Sequence, residues 1–253
     1  MRYFIQLSYK GTAYHGWQVQ KNARSVQELV NKALSIVLRK PIETLGCGRT
    51  DTGVHARQFF AHFDYEKELN PEKVLIALNG LLPHDIAVQF IFEVAETAHA
   101  RFDATSRTYE YHICFDKDPF LTNFAWHIHQ IPAIEQMNLA CKILIDHADF
   151  SCFSKSHTQV KTNICKITYA LWKMNDKELV FYITADRFLR NMVRAIVGTM
   201  LQIGKNELSL KQFVQIIESK NRSMAGMSVP AEGLYLFKIE YPYELIQKQL
   251  LKK

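Results

Sequence analysis

Residues 46–56 read Gly-Cys-Gly-Arg-Thr-Asp-Thr-Gly-Val-His-Ala and place one carboxylate, Asp51, in a glycine-rich stretch. Arg49 stands two residues before it and His55 four after. Glycines at 46, 48 and 53 give the backbone access to positive φ and to close approach by another molecule. The segment lacks the apolar periodicity of a helix or strand. A carboxylate so placed can act as a nucleophile at carbon or as a base for a proton. The neighbouring arginine would hold it ionised.

Asp-Thr-Gly at 51–53 is also the triplet of aspartic proteases, but here it occurs once. Those enzymes need two carboxylates sharing a proton, and Cys-Gly-Arg before the triplet is not the apolar strand that would bury such a pair. The bland alternative is a turn, since Asp and Gly are both common turn formers.

Other residues could serve a site. Arg187, Arg190 and Arg194 are spaced by three and four, so on a helix over 188–204 they would share one face. Tyr109 lies in a strand-like stretch, where a tyrosine usually packs half-buried. Tyr14, His15, Trp17 and Gln18 suggest a loop that supports a site, although Trp17 also suits a core. His55 is expected to be structural. His127 and His129 flank one residue and would share a strand face, but without a third ligand they predict no metal site. The five cysteines, 47, 114, 141, 152 and 165, are odd in number and widely spaced, which suits free thiols and a reducing, cytoplasmic setting.

Supporting elements can be read from the pattern. Alternation over 2–9 predicts a strand. Ser25 and Glu28 match a capping box, ahead of an apolar stripe of Val26, Leu29, Val30, Ala33, Leu34 and Val37. A strand near 58–65, a helix between Pro71 and Pro83, and a strand over 86–95 follow. Then come a strand over 107–115, a helix over 134–147, and a hairpin turning at 175–177. Helices over 188–204, stopped by Gly204, and over 209–219 lead to a closing strand at 233–241. Strands and helices mix without strict βαβ alternation, so the expected class is α+β with largely antiparallel sheet. A hydrophobic fraction of 48% supplies a core, and a net charge of +6 suits a polyanionic partner. The first ten residues lack the apolar run of a signal peptide, and no run of 18 apolar residues predicts a membrane span.

Five stretches, in order, resemble the tRNA pseudouridine synthase A (TruA) family: Tyr-His-Gly-Trp-Gln-Val-Gln (14–20), the 46–56 string, Arg-Thr-Tyr-Glu-Tyr-His-Ile (107–113), the 188–204 segment, and Gly-Leu-Tyr-Leu (233–236). The resemblance implies an enzyme that isomerises uridine to pseudouridine in the anticodon stem-loop of tRNA, at positions 38, 39 and 40. It implies two ferredoxin-like (RNP-like) halves, 1–101 with the acid motif and 102–253 with the tyrosine strand and arginine helix. Their sheets would join, with the active-site cleft between them, and two copies would form a homodimer. Asp51 becomes the catalytic nucleophile, attacking C1′ or removing the 2′ proton. Arg194 becomes its partner. Tyr109 stacks on the uracil and serves the C5 proton step. Arg49, Arg190 and Leu234 contact substrate, with Arg49 filling the gap left by a flipped nucleotide. The isomerisation involves no net oxidation and no external group, so neither cofactor nor metal is expected. A catalytically dead RNA binder of the same fold need not keep Asp51, Arg49, Tyr109 and Arg194 together; a relative acting on another RNA position stays open.

Overall fold

The computed structural model describes residues 1–155 and 162–242. The chain forms two compact units. One comprises Met1–Thr105 with the chain from Leu236 onward, and the other comprises Ser106–Tyr235. A single cut between 101 and 102 does not reproduce this, because the C-terminal strand returns to the first unit. Residues 243–253, counted in the expected second half, lie outside the described residues.

In the first unit the order is β1 (Arg2–Tyr9), α1 (Val26–Leu38), β2 (Leu45–Gly46), β3 (His55–Asp64), α2 (Pro71–Leu81) and β4 (Ile86–Val94). β1 is central and antiparallel to both β3 and β4, with Arg2 opposite Asp64 on one side and Val94 on the other. The two-residue β2, too short to be read from periodicity, pairs with β3. β3 starts at His55, earlier than alternation suggests, because its first residues are set by the turn before it. In α1, Ser25 caps Glu28 N at 3.3 Å. Val26, Val30, Ala33 and Leu34 are buried, with Leu38 completing the stripe. Asn70 caps α2, with Pro71 in its first turn, where the missing N–H costs nothing. Trp17, Phe59, Phe4 and Phe63 fill the core, and each ring withdrawn from water contributes about 2–3 kcal/mol.

The second unit runs β5 (Ser106–Cys114), β6 (Trp126–His127), α3 (Ile134–Ile145), β7 (Ile167–Asn175), β8 (Glu178–Ala185), α4 (Met192–Gly204) and α5 (Leu210–Ser219), and β9 (Leu234–Glu240) begins within it. β8 is antiparallel to β5 and to β7, while β6 runs parallel to β5. α3 packs on β7 and α4. Trp172 of β7 stacks on Phe181 of β8 and donates its indole N–H to Met200 Sδ of α4. With five α-helices among the described residues and mostly antiparallel strands, the class is mixed α+β.

Two expectations about α4 are corrected. It starts at Met192, not 188, because Asn191 adopts a left-handed conformation (φ 66°) at its N-cap. Arg187 and Arg190 precede the helix, so they share no helical face with Arg194. Gly204 is the last helical residue rather than a left-handed stop. A Cβ there would lie 2.6 Å from Met137 Sδ and from Pro132 Cβ, so the glycine serves packing against α3 and the chain before it.

All five cysteines are buried, and Cys47 Sγ accepts from Phe60 N at 3.4 Å. Burial pushes the thiols of Cys141 and Cys152 up to about 12 and that of Cys165 to about 11. No helix among the described residues is long and apolar enough to cross a membrane.

Candidate active site

The acid turn joins β2 to β3 and is held mainly by backbone. Val54 N donates to Asp51 O at 3.1 Å, closing a tight turn in which Gly53 takes φ 79°. Only glycine takes that conformation without steric cost. Gly53 N donates to Tyr14 O at 3.3 Å, and Cys47 N to Phe60 O at 2.7 Å. The tyrosine hydroxyl of Tyr9 bonds Thr50 Oγ1 at 2.9 Å beneath the turn.

A second loop, 11–17, lies against this turn so closely that no Cβ fits at Gly11 or Gly16. A Cβ on Gly16, whose φ is 84°, would come within 2.1 Å of Thr50 O. One on Gly11 would come within 2.0 Å of Val54 O. A Cβ on Gly46 would meet the Trp17 indole at 2.4 Å. Gly48 differs: nothing lies within 4 Å of its Cβ position. Two glycines of the motif therefore have structural reasons, packing at 46 and positive φ at 53, whereas the fold imposes none at 48.

The first motif resolves into two kinds of residue. Trp17 is buried against Phe59, with ring centroids 4.1 Å apart. Tyr14 is buried, donates its hydroxyl to Asp85 at 2.5 Å, and lies under the Arg24 guanidinium at 5.4 Å. Burial and the Asp85 carboxylate push the Tyr14 hydroxyl well above its ordinary range. His15 and Gln18 are exposed. His55 is buried and its Nδ1 accepts from Gly11 N at 3.0 Å, tying the two loops together. Asp51 is half-buried at the surface of this assembly and Arg49 is exposed.

In the second unit, Tyr109 on β5 is half-buried, opposite Ile183 of β8 and edge-on to Phe188 at 5.0 Å. Phe188 precedes α4, so its part in holding Tyr109 is hidden when 188–204 is read as one helix. Arg190 is exposed and its carbonyl accepts from Lys155 N. Arg194, in the first turn of α4, is half-buried and donates Nε to Val229 O at 2.7 Å. Tyr111 is buried and donates its hydroxyl to Pro230 O at 2.9 Å. Burial drives that hydroxyl far above its ordinary range, with the Arg194 charge opposing the shift. Leu234 is buried at the start of β9, just after Gly233, where a Cβ would meet His112 O at 2.6 Å and the Tyr111 ring at 3.0 Å. The structure thus groups Asp51 with Arg49 in one unit. In the other it groups Arg194 with Tyr111 and the 229–230 segment, and Tyr109 with Phe188. Tyr111, Phe188 and Val229 were not singled out by residue type, since each reads as ordinary core or loop.

His127 Nε2 lies 3.1 Å from Phe115 O, and its ring is edge-on to His129 at 4.8 Å. Among the described residues no group of three His, Cys, Asp or Glu side chains stands where it could hold a metal ion.

Comparison with known proteins accords with this arrangement. Residues 6–103 and 140–242 match the family model described as tRNA pseudouridine synthase, a class of isomerases acting on tRNA. The tRNA pseudouridine synthase A of Bacteroides fragilis is 53% identical over 248 residues, covering 97% of this chain and 98% of that protein. That of Parabacteroides distasonis is 50% identical, covering 96% and 97%. That of a Thermoanaerobacter species is 40% identical, covering 94% and 98%. The chain belongs to the tRNA pseudouridine synthase family.

Proposed function

We propose that this protein isomerises uridine to pseudouridine in the anticodon stem-loop of tRNA, at positions 38, 39 and 40, with Asp51 as its catalytic carboxylate. The observation that carries the reading is the half-buried Asp51 on a turn that a second loop braces through glycines, in a chain of this family. The reaction breaks the N1–C1′ bond and forms C5–C1′. One proton leaves C5 and one joins N1, so no redox partner and no metal is required. Asp51 acts as nucleophile at C1′ or as base for the 2′ proton. Arg194 serves as the partner of the carboxylate. Tyr109 stacks on the uracil and assists the C5 proton step, an aromatic face being what an unstacked base needs. Leu234 and Arg190 contact the substrate, and Arg49 occupies the space the flipped nucleotide vacates. The chain works as two ferredoxin-like halves, one carrying Asp51 and the other carrying Tyr109 and Arg194. It works as a cytoplasmic homodimer in which one copy steadies the tRNA that the other modifies. The names of the relatives and the basic balance of the chain support tRNA as substrate.

The test is pseudouridine mapping on purified tRNA, with no nucleotide and with EDTA in a monovalent salt that maintains the tRNA fold. Pseudouridine at 38–40 is expected with the native protein and absent with Asp51→Asn, while tRNA binding persists. Near-normal turnover by that variant would overturn the assignment of Asp51. Modification confined to other positions would overturn the stem-loop target.

A further inference from the structure

We propose that residues 225–229 form a strap along α4 that positions Arg194, and that Arg222, which pins the strap, is a positioning residue for the reaction. The proposal rests on the role given to Arg194 above.

The strap runs antiparallel to the helix along one of its faces. Val229 N donates to Arg194 O at 3.2 Å. The Met227 carbonyl sits where a Cβ on Gly198 would be, 1.9 Å from that position. Gly226 N donates to Thr199 Oγ1 at 2.9 Å. Residues 194 and 198 lie one above the other on a helix and 199 adjoins 198, and the strap residues that meet them are 229, 227 and 226 in turn. The approach is possible only because two positions lack side chains. A Cβ on Gly226 would lie 3.0 Å from both Gln202 Oε1 and Thr199 N.

Arg222 holds the strap from its other side. Its Nη1 donates to Ala225 O at 3.3 Å and Gly226 O at 3.1 Å, and its Nη2 to Ser228 Oγ at 3.1 Å. Asn191 Nδ2 donates to the same Ser228 hydroxyl, linking the strap to the N-cap of α4. A planar guanidinium can address three acceptors in this fixed fork; an ammonium on a flexible stem cannot.

One carbonyl of the strap faces the helix arginine. Val229 O accepts from Arg194 Nε at 2.7 Å. A guanidinium carries five N–H donors, and fixing Nε restrains the plane in which the four terminal ones are presented. The side chain is therefore partly ordered before any substrate arrives, so less freedom is lost at the moment of reaction.

The experiment displaces the strap from its two sides in the full-length protein, by Arg222→Ala and by Gly198→Ala, with Arg222→Lys as the conservative variant. Three quantities are read: the single-turnover rate at saturating protein, the affinity for tRNA, and solvent exchange of the Arg194 Nε–H by NMR, assigned by its disappearance in Arg194→Ala. Arg222→Ala and Gly198→Ala should each lower the rate at least ten-fold, leave affinity within two-fold, and speed exchange of the Arg194 Nε–H. Arg222→Lys should fall between them and the native protein. Native rates in folded variants, or a loss that appears wholly as weaker tRNA binding, would overturn the proposal; the second result would make Arg222 an RNA contact. If Arg222→Ala fails to fold, Ser228→Ala removes the shared hydroxyl alone and should still speed exchange, and native exchange there would overturn the strap. A fully active Arg194→Ala would refute the role of Arg194 itself, whereas the exchange measurement still reports separately whether the strap positions that side chain.

Discussion

Asp51 and Arg194 are held by unlike means. Asp51 sits on a turn fixed by main chain against main chain: Gly53 N on Tyr14 O, Gly16 against Thr50 O, Gly11 against Val54 O. Arg194 sits on a regular helix, and a carbonyl 35 residues further along the chain grips its side chain. A backbone cradle leaves little freedom for the acid to wander, and it demands glycine at fixed places. A side-chain grip leaves more freedom and demands only that some carbonyl arrive. The difference should be visible in how each fails.

The largest effect is expected from Asp51→Asn, which keeps the shape of the cradle and removes the charge. If Asp51 is the carboxylate proposed above, its loss should slow single turnover by at least about a thousand-fold, with the thermal midpoint and tRNA affinity held. Next, Gly16→Ala and Gly48→Ala compare two glycines near the same acid. The first drives a Cβ onto Thr50 O from a positive-φ position and should cost about 2–4 kcal/mol of stability in urea unfolding. The second projects into open space and should stay within roughly 0.5 kcal/mol. Equal costs would mean the cradle is not what holds the turn. On the role proposed for it, Arg194→Ala removes a charge-assisted bond and, at roughly 1.5–3 kcal/mol, should slow turnover ten-fold or more without a fall in stability like that of Gly16→Ala.

The smallest effect lies at the far end of β3. His62 is buried, its Nδ1 accepts from Ala100 N at 3.1 Å, and its Nε2 has no partner. Burial first, then the charges of Arg2 and His99, lower its pKa to about 4. The unfolded chain therefore binds this proton from about 6.5 downward while the folded one does not. Stability from this group is complete above 6.5 and is lost as pH falls towards 4, on the order of 2 kcal/mol. Urea midpoints at pH 7, 5.5 and 4.5 should fall in that order. An NMR titration of the His62 ring with a midpoint near 6.5 would contradict the burial account.

How far the sequence could be read follows the same divide. The acid turn was legible because glycine at 46 and 53 around one acid is a local pattern, but Gly11 and Gly16, which brace it, lie outside that window; α1 and α2 were legible because apolar spacing and cap residues are local too. The start of α4 was not. Phe188 and Leu189 continue an apolar stripe on paper, but Asn191 turns left-handed and breaks the helix before Arg190 can join Arg194. The two-residue β2 has no period to detect. The return of the chain from Leu236 to the first unit, where Ile239 N meets Gln58 Oε1, is a long-range fact that no window contains. The 225–229 strap is hidden for the same reason: it meets α4 at residues far from it in the chain, through contacts of Arg194 and Thr199 with strap backbone atoms, which every residue possesses.

The five thiols give the molecule a built-in gauge of opening. Each is enclosed, and for three of them the reactive thiolate is scarce at neutral pH even if reagent reaches it. An alkylating reagent should therefore mark the native protein only as fast as its parts come apart. Cys47 lies inside the acid cradle, whereas Cys141, Cys152 and Cys165 lie in the second unit. Mass spectrometry of partly labelled protein would time the loosening of each unit separately, with no engineered probe.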